Sequence, residues 1–172
     1  MVIIEDSRQQ AGRHELKHGS WSRSGDVIYR SKLAVGDYCL PPEVSVDTKA
    51  SMQEIAQNIG GTAEEHARFR RELQLAQEMG TKLYVLIENE DGIGSIEEVA
   101  GWINPRLAFS SKAITGQRLS RAMNTMQQRY GVTFLFCKPA EAAEVIKRLL
   151  RKEGGDGRQT DGRLDKAQPQ DP

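Results

Sequence analysis

The sequence predicts an α/β protein in which a mixed β-sheet is flanked by helices on both faces. Short apolar or alternating runs, typical of strands, are interleaved with longer segments in which apolar residues recur with the helical period. The segment 82–88 is apolar almost throughout, as in a strand that is covered on both faces. Strands and helices in this order favour one sheet between two helical layers.

The predicted strands are short and are bounded by polar or glycine-containing segments. They lie at residues 2–5, 27–30, 33–40, 44–49, 82–88 and 132–137. The three strands between residues 27 and 49 have short connections, so we expect them to form an antiparallel meander. The segment 9–24 is polar and contains several glycines, so a short helix or a loop is expected there.

Five longer helical segments are predicted from apolar spacing and capping signals. They lie at residues 51–59, 62–79, 95–103, 116–130 and 139–149. The sequence beyond residue 151 is rich in Gly, Gln and Asp and has almost no apolar residues. We therefore expect one domain of residues 1–151 and a disordered polar tail of residues 152–172.

Composition narrows the class of protein. The chain has 24 basic and 24 acidic residues, which argues against a uniform positive surface that holds nucleic acid nonspecifically. It has no apolar run of the length a membrane span needs, and its N-terminus does not resemble a signal peptide. Cys39 and Cys137 both lie in strand-like runs, which favours buried thiols in a reducing compartment. We expect a cytoplasmic protein without membrane contact.

The chemistry is expected at the stretch 36–49. In the strand 44–49, Asp47 and Lys49 project from the same face because side chains alternate along a strand. Together with Asp37 and with Asp6, which follows the first strand, they supply oxygen ligands for a hard divalent cation and a positive charge for a phosphate. The alternative is that Asp37 is a turn residue and that Asp47 and Lys49 form a surface ion pair.

Four blocks in order resemble the nuclease domain of the XPF family of structure-specific endonucleases, a branch of the restriction-endonuclease-like PD-(D/E)XK superfamily. The first strand is followed by D-x-R-E in the family, and V-G-D-Y, V-E-R-K-S and an apolar strand ending in I-E come next. The matching residues here are Asp6-Ser7-Arg8-Gln9, Val35-Gly36-Asp37-Tyr38, Val46-Asp47-Thr48-Lys49-Ala50 and Leu86-Ile87-Glu88, with an Arg-rich helix containing Phe69-Arg70-Arg71 before the last block.

The resemblance implies a restriction-endonuclease-like fold and a Mg2+- or Mn2+-dependent endodeoxyribonuclease that cuts branched, flapped or splayed-arm DNA. It implies that Asp37, Asp47, Asp6 and Thr48 hold the metal, and that Lys49 stabilises charge or positions the nucleophile. It also implies a homodimer or recruitment by a protein partner. A compact version of this kind suits a phage or prophage replication and recombination module.

Several positions depart from the family pattern. Asp47 stands where the family has glutamate, and Thr48 stands where it has arginine. Gln9 replaces the first glutamate, and Gln53 occupies a later acidic position beside Glu54, which also completes a capping box. These departures leave open an alternative function, a DNA-structure-binding module of the same fold with weak or no catalysis.

Arginines are the expected DNA contacts. Arg68, Arg70 and Arg71 lie on the second long helix, and Arg8 lies near the first acid. The guanidinium fork suits phosphate oxygens. The alternative is a solvated helix face, on which these arginines pair with glutamates at positions 64, 65 and 72.

A second motif has a different meaning. The segment His14-Glu15-Leu16-Lys17-His18 spells H-E-x-x-H, the zinc-protease signature. It lies in a polar segment between Gly12 and Gly19, whereas the motif helix of a zinc protease is buried and central. A zinc protease is therefore a minor alternative, and the favoured interpretation is a coincidental pair of exposed histidines in a polar segment.

Overall fold

The computed structural model describes residues 2–10, 12, 14–40 and 44–155, which form a six-stranded mixed sheet between two layers of helices. The strands are β1 (Val2–Asp6), β2 (Val27–Ser31), β3 (Tyr38–Leu40), β4 (Val44–Lys49), β5 (Lys82–Glu88) and β6 (Thr133–Cys137). The helices are α1 (Glu15–Arg23), α2 (Met52–Gly60), α3 (Ala63–Glu78), α4 (Ile96–Val99), α5 (Gly116–Tyr130) and α6 (Ala142–Gly155), with a 3-10 turn at Pro105–Ala108.

The strand order is β2-β1-β3-β4-β5-β6. The predicted antiparallel meander is confirmed for β3 and β4 but is wrong for β2, because β2 pairs in parallel with β1 at the edge of the sheet. β1 also pairs with β3, which is antiparallel to both of its neighbours. The strand after β2 therefore returns across β1, and this crossover cannot be inferred from the length of the connections.

The segment predicted as a strand over 33–40 is extended only at Tyr38–Leu40. Leu33 and Val35 are buried but irregular, because the chain turns at Gly36, whose φ is +73°. A Cβ atom at Gly36 would lie 2.3 Å from Oγ of Ser45. Glycine is therefore required where the chain packs closely against β4.

Helices cover both faces of the sheet, as predicted. α2, α3 and α5 pack on one face around Ile55, Phe69 and Val85, and α1 and α6 pack on the other around Trp21 and Ile146. No helix in the described part of the chain is long and apolar enough to cross a membrane. α6 runs to Gly155, and residues 156–172 of the predicted tail lie outside the described residues.

The topology gathers several strand ends at one edge of the sheet. β1, β4 and β5 run in the same direction, so their last residues, Asp6, Lys49 and Glu88, lie at the same edge. β3 runs the other way and begins there, directly after Asp37. Ligand sites in open α/β sheets commonly form outside the carboxyl ends of the strands.

Candidate active site

Asp37 is fixed at this edge by hydrogen bonds of its backbone N–H, its backbone carbonyl and its carboxylate. Its N–H donates to the carbonyl of Val46 at 2.9 Å, and its carbonyl accepts from the N–H of Asp6 at 2.7 Å. Oδ2 of Asp37 accepts from the N–H and the hydroxyl of Thr48, at 2.9 and 2.6 Å. The carboxylate therefore lies against the segment that carries Asp47, rather than in a solvated turn.

Asp47 and Lys49 form an ion pair, with 2.7 Å between Oδ2 and Nζ. The alternative of a surface pair is wrong, because the two side chains are only 5% and 9% exposed. Nζ of Lys49 also lies 5.3 Å from the ring centroid of Phe69 on α3. The lysine is thus held between a carboxylate and an aromatic face.

Glu72 also belongs to the site, although its position among arginines predicted a solvated helix face. Its Oε1 accepts from the N–H of Gly36 at 3.2 Å, and its side chain lines a groove of about 350 Å³ together with Asp37, Asp47 and Lys49. The sequence holds a signal for it, because Glu72 lies three residues after the buried Phe69 and four before the buried Ala76. That spacing places it beside the inward stripe of α3.

The carboxylates of the site repel one another. Burial, together with the charge of Asp37, raises the pKa of Asp47 to about 6, against the opposing charge of Lys49. Burial also raises the pKa of Asp37, and burial with the charge of Asp47 raises that of Glu72 to about 7. Burial alone would lower the pKa of Lys49, but the neighbouring carboxylates raise it, so the ammonium stays charged. The ammonium of Lys49 thus lies among the carboxyl groups of Asp37, Asp47 and Glu72.

Asp6 makes a different set of contacts. Its carboxylate is buried and accepts from Nε of Arg8 at 2.7 Å and from the Arg8 N–H at 3.0 Å. Burial opposes ionisation, but these bonds keep the pKa of Asp6 below its usual range. The structure therefore joins two residues predicted for different roles, a metal ligand and a DNA contact, in one ion pair whose arginine also donates to the carbonyl of Leu33.

His14 of the H-E-x-x-H segment takes part in a chain of hydrogen bonds that ends at the carboxylate of Asp37. The Tyr38 hydroxyl lies 2.6 Å from Nδ1 of His14, and Nε2 of His14 lies 2.6 Å from Oε1 of Gln9. The amide of Gln9 donates to Oδ1 of Asp37. Both ring nitrogens of His14 are thus in use, and Nε2 of His18 contacts Glu5 at 2.8 Å. The two imidazoles serve different partners, which does not fit a shared zinc ion.

The arginines of α3 differ in their distance from the site. Arg68 lines the groove that contains Asp37, Asp47 and Glu72. Arg68 and Arg71 also line a neighbouring surface groove, whereas Arg70 is exposed and lines neither. Arg68 is therefore the residue of this predicted group that the fold places at the candidate active site.

A second cavity, of about 190 Å³, also borders the acidic residues. Asp37, Asp47 and Lys49 line it, and Lys17 of α1 closes it with Glu88, whose Oε1 lies 2.5 Å from Nζ of Lys17. Lys17 was not predicted as a site residue, because it carries no sequence signal beyond its place in a polar segment.

The donor set fits a hard divalent cation. Oδ2 of Asp47 is buried and lies 2.7 Å from Nζ of Lys49, which donates to it and neutralises it as an ion pair. No group of three or more His, Cys, Asp or Glu side chains within the described residues is arranged to hold a metal by itself. Mg2+ commonly takes one or two protein carboxylates and fills its other positions with water and substrate phosphate. Asp37 and Asp47 meet that requirement.

Neither a protein-family model nor a curated protein sequence matches the chain. Solved structures match it in fold. XPF from Aeropyrum pernix superposes with a TM-score of 0.67 over 99% of this chain and 70% of its own, at 19% identity. XPF from Aeropyrum pernix in its complex with DNA gives a TM-score of 0.64 over 94% of this chain and 68% of its own, at 18% identity.

These similarities establish the fold. The chain belongs to the α/β class with a mixed sheet between helical layers, as the restriction-endonuclease-like fold requires. Within that class it has the fold of the XPF structures, as the ordered sequence blocks predicted.

Proposed function

We propose that this protein is a Mg2+- or Mn2+-dependent endonuclease that hydrolyses phosphodiester bonds in DNA. The observation that carries the proposal is the cluster of Asp37, Asp47 and Glu72 around Lys49 at the carboxyl ends of the strands, in which Asp47 and Lys49 are buried. One lysine does not balance these carboxyl groups, and a bound divalent cation would complete the balance. The DNA complex of the XPF structure with the same fold supports DNA as the substrate.

The residues have separate tasks in this mechanism. Asp37 and Asp47 would hold the cation, which supplies Lewis-acid polarisation of the scissile phosphate when bound. Thr48 and Gln9 orient the Asp37 carboxylate through hydrogen bonds. Lys49 keeps its proton and stabilises negative charge as it develops on the phosphate.

The remaining predicted residues act around this centre. Asp6 orients Arg8 through the ion pair, so that the half-exposed guanidinium faces the groove shared with Arg68. Both arginines are then available to phosphate oxygens on either side of the scissile bond. The Thr48 hydroxyl donates its proton to Asp37, and the lone pairs of its oxygen would be the atoms that contact the metal.

The substrate class, partners and setting complete the proposal. Branched, flapped or splayed-arm DNA is proposed as the preferred substrate. A second copy in a homodimer, or a recruiting protein, would supply further contacts to the duplex. A cytoplasmic replication, recombination or repair role, as in a phage or prophage module, is consistent with the buried free thiols of Cys39 and Cys137.

The test is a cleavage panel with the full chain. End-labelled flap, splayed-arm, duplex and single-stranded DNA are incubated with Mn2+, Mg2+ or EDTA. We expect cleavage of the junction substrates near the branch with either metal and none in EDTA. Binding of the same substrates without cleavage in any metal would instead support the alternative of an inactive DNA-structure-binding module.

A further inference from the structure

The segment of the chain between α4 and α6 carries an unusual distribution of charge. Residues 99–140 contain six basic residues and no acidic one, although the chain as a whole is neutral. The basic residues are Arg106, Lys112, Arg118, Arg121, Arg129 and Lys138, and all of them are exposed. None of the six forms an ion pair with a carboxylate in the described part of the chain. Their charge is therefore free to act on an external anion.

An exposed aromatic ring lies between two of these cations. Phe109 is 92% exposed, and it is flanked in sequence by Arg106 and Lys112. An exposed phenylalanine on a mobile chain end would need no explanation. This one lies in a segment of residues 103–113, here called the Phe109 loop, that is held by hydrogen bonds.

The Phe109 loop is closed by Asn104, which is only 3% exposed. Its amide donates to the carbonyl of Ile114 at 2.9 Å, and its Oδ1 accepts from the N–H of Arg106 at 3.0 Å. The N–H of Phe109 then donates to the carbonyl of Arg106 at 3.0 Å. The backbone that presents the ring is thus fixed before any ligand arrives.

The loop is also fixed to α2. A Cβ atom at Gly60 would lie 2.6 Å from Cβ of Ile114, so the end of α2 and the base of the loop are in close contact. Nη1 of Arg106 donates to Oε1 of Gln57, one turn earlier in α2, at 2.8 Å. The position of the ring is therefore set by the helix that directly follows Lys49.

A cavity of about 210 Å³ lies between the loop and α2. Arg106, Ser110 and Lys112 line it from the loop, and Gln53 lines it from the first turn of α2. Glu65 is the one acidic residue among the described residues that line it, and it is engaged by Thr62 and Gln57. The neighbouring residues Ala50 and Glu54 line the cavity of the candidate active site. Two adjacent residues of α2, Gln53 and Glu54, thus line the two cavities.

We propose that the Phe109 loop and the adjoining cavity form a binding site for single-stranded DNA, in which an unpaired base stacks on Phe109 and the flanking phosphates contact Arg106 and Lys112. Base stacking on an aromatic ring combined with basic side chains along the backbone is the general physical basis of single-strand binding. A base in duplex DNA is stacked on its neighbours and does not offer its face to the ring. The inference rests on the proposed function only in taking DNA as the ligand. With this site the protein would bind the unpaired strand of a junction next to the candidate active site.

Fluorescence anisotropy of the full chain in EDTA tests the stacking contact, because binding is then measured without metal-dependent cleavage. The probes are a labelled oligothymidylate of about 15 nucleotides, a length near one single-strand binding site, and a duplex of the same length. We expect Phe109→Ala to weaken single-strand binding about tenfold and to change duplex binding by less than about twofold. The matched control is Tyr29→Ala, which removes an aromatic ring that is 64% exposed on β2.

The charged contacts are tested in the same assay as a function of salt. Arg106→Ala with Lys112→Ala is expected to lower the slope of log Kd against log salt concentration by about 1.4, or about 0.7 for each phosphate that the protein no longer neutralises. Lys112→Ala alone, which removes no hydrogen bond to α2, is expected to lower it by about 0.7. Arg148→Ala with Arg151→Ala, two exposed arginines of α6, is the charge-matched control and should leave the slope unchanged.

Three outcomes overturn the inference. Phe109→Ala binds oligothymidylate as the wild type does, or the α6 control weakens binding as much as the loop variant. In the third, sedimentation shows that Phe109→Ala dissociates an oligomer while DNA affinity is unchanged, and the loop is then a protein contact. Failure of the proposed hydrolysis is a separate result, because it appears as absent cleavage with intact, Phe109-dependent binding.

Discussion

Lys49 is the only cationic side chain in direct contact with the acidic cluster among the described residues, and its removal tests the charge balance of the site. Lys49→Met leaves Asp47 buried without its partner, so we expect a loss of about 3–5 kcal/mol in the free energy of unfolding in EDTA. Mn2+ should restore part of this loss, because the cation replaces the missing positive charge. Urea unfolding with and without Mn2+ measures both effects.

Lys147→Met is the matched control for that experiment. Lys147 is also buried and lies 2.5 Å from Asp26, but this pair lies just before β2 begins, at the edge of the sheet opposite to the candidate active site. We expect a similar loss of stability and no recovery with Mn2+. Recovery of both variants by the metal, or of neither, would contradict the assignment of a cation to the Asp37 and Asp47 carboxylates.

The titration of Glu72 predicts how the stability of the folded protein depends on pH. Its pKa is raised from 4.5 to about 7 in the folded protein, because burial and the charge of Asp47 disfavour the ionised form. The folded state therefore holds this proton more tightly than the unfolded state, so its contribution to stability falls as the pH rises from about 4.5 to about 7.

Glu72→Gln removes this titration while keeping an oxygen for the N–H of Gly36. In EDTA we expect the variant to be more stable than the wild type at pH 8 by about 1–2 kcal/mol, since the half-buried side chain is partly screened by solvent. The difference should shrink towards zero at pH 5. Urea unfolding at the two pH values is the measurement, with Glu64→Gln on the same helix as a control for the loss of one negative charge. A variant less stable than the wild type at pH 8 would refute the interpretation.

At the scale of elements, the turn into β3 determines where Asp37 lies. Gly36→Ala imposes a positive φ on alanine and places its Cβ 2.3 Å from Oγ of Ser45, so we expect a loss of about 2–4 kcal/mol in unfolding free energy. Gly92 has the same φ of +73° with open space around it. Gly92→Ala should therefore cost only about 1 kcal/mol. Equal losses would show that the close approach to β4 does not constrain the turn.

The sequence was most informative about the positions of individual helices and strands. Apolar spacing and capping signals predicted α2, α3 and α5 and the strands β4 and β5, because these elements bury one face or both faces. The inward position of Glu72 has a signal in the same spacing, but a glutamate among arginines suggested pairing at the surface. The pairing of Asp6 with Arg8 has no such signal, because it depends on a turn after β1.

At the scale of the whole molecule, the ordered sequence blocks predicted the fold. They did not predict the position of β2 in the sheet, which only the structure shows. Short connections favour neighbouring strands in general, yet the chain places β2 outside β1 and carries β3 back to its other side. This crossover is what brings Asp37 next to Asp6. Strand order depends on the packing of α1 and α6 over the sheet, which no local pattern encodes.

The central claim is that Asp47 and its neighbours hydrolyse DNA with a divalent cation. The most direct measurement is the single-turnover rate of cleavage of a labelled flap DNA in Mn2+ by the wild type and by Asp47→Asn. Glu97→Gln, an exposed charge on α4, is the control, and urea unfolding verifies that each variant is folded. The account predicts a loss of about 10²–10³-fold or more for Asp47→Asn, with no cleavage by the wild type in EDTA. Equal rates for folded wild type and Asp47→Asn would contradict it.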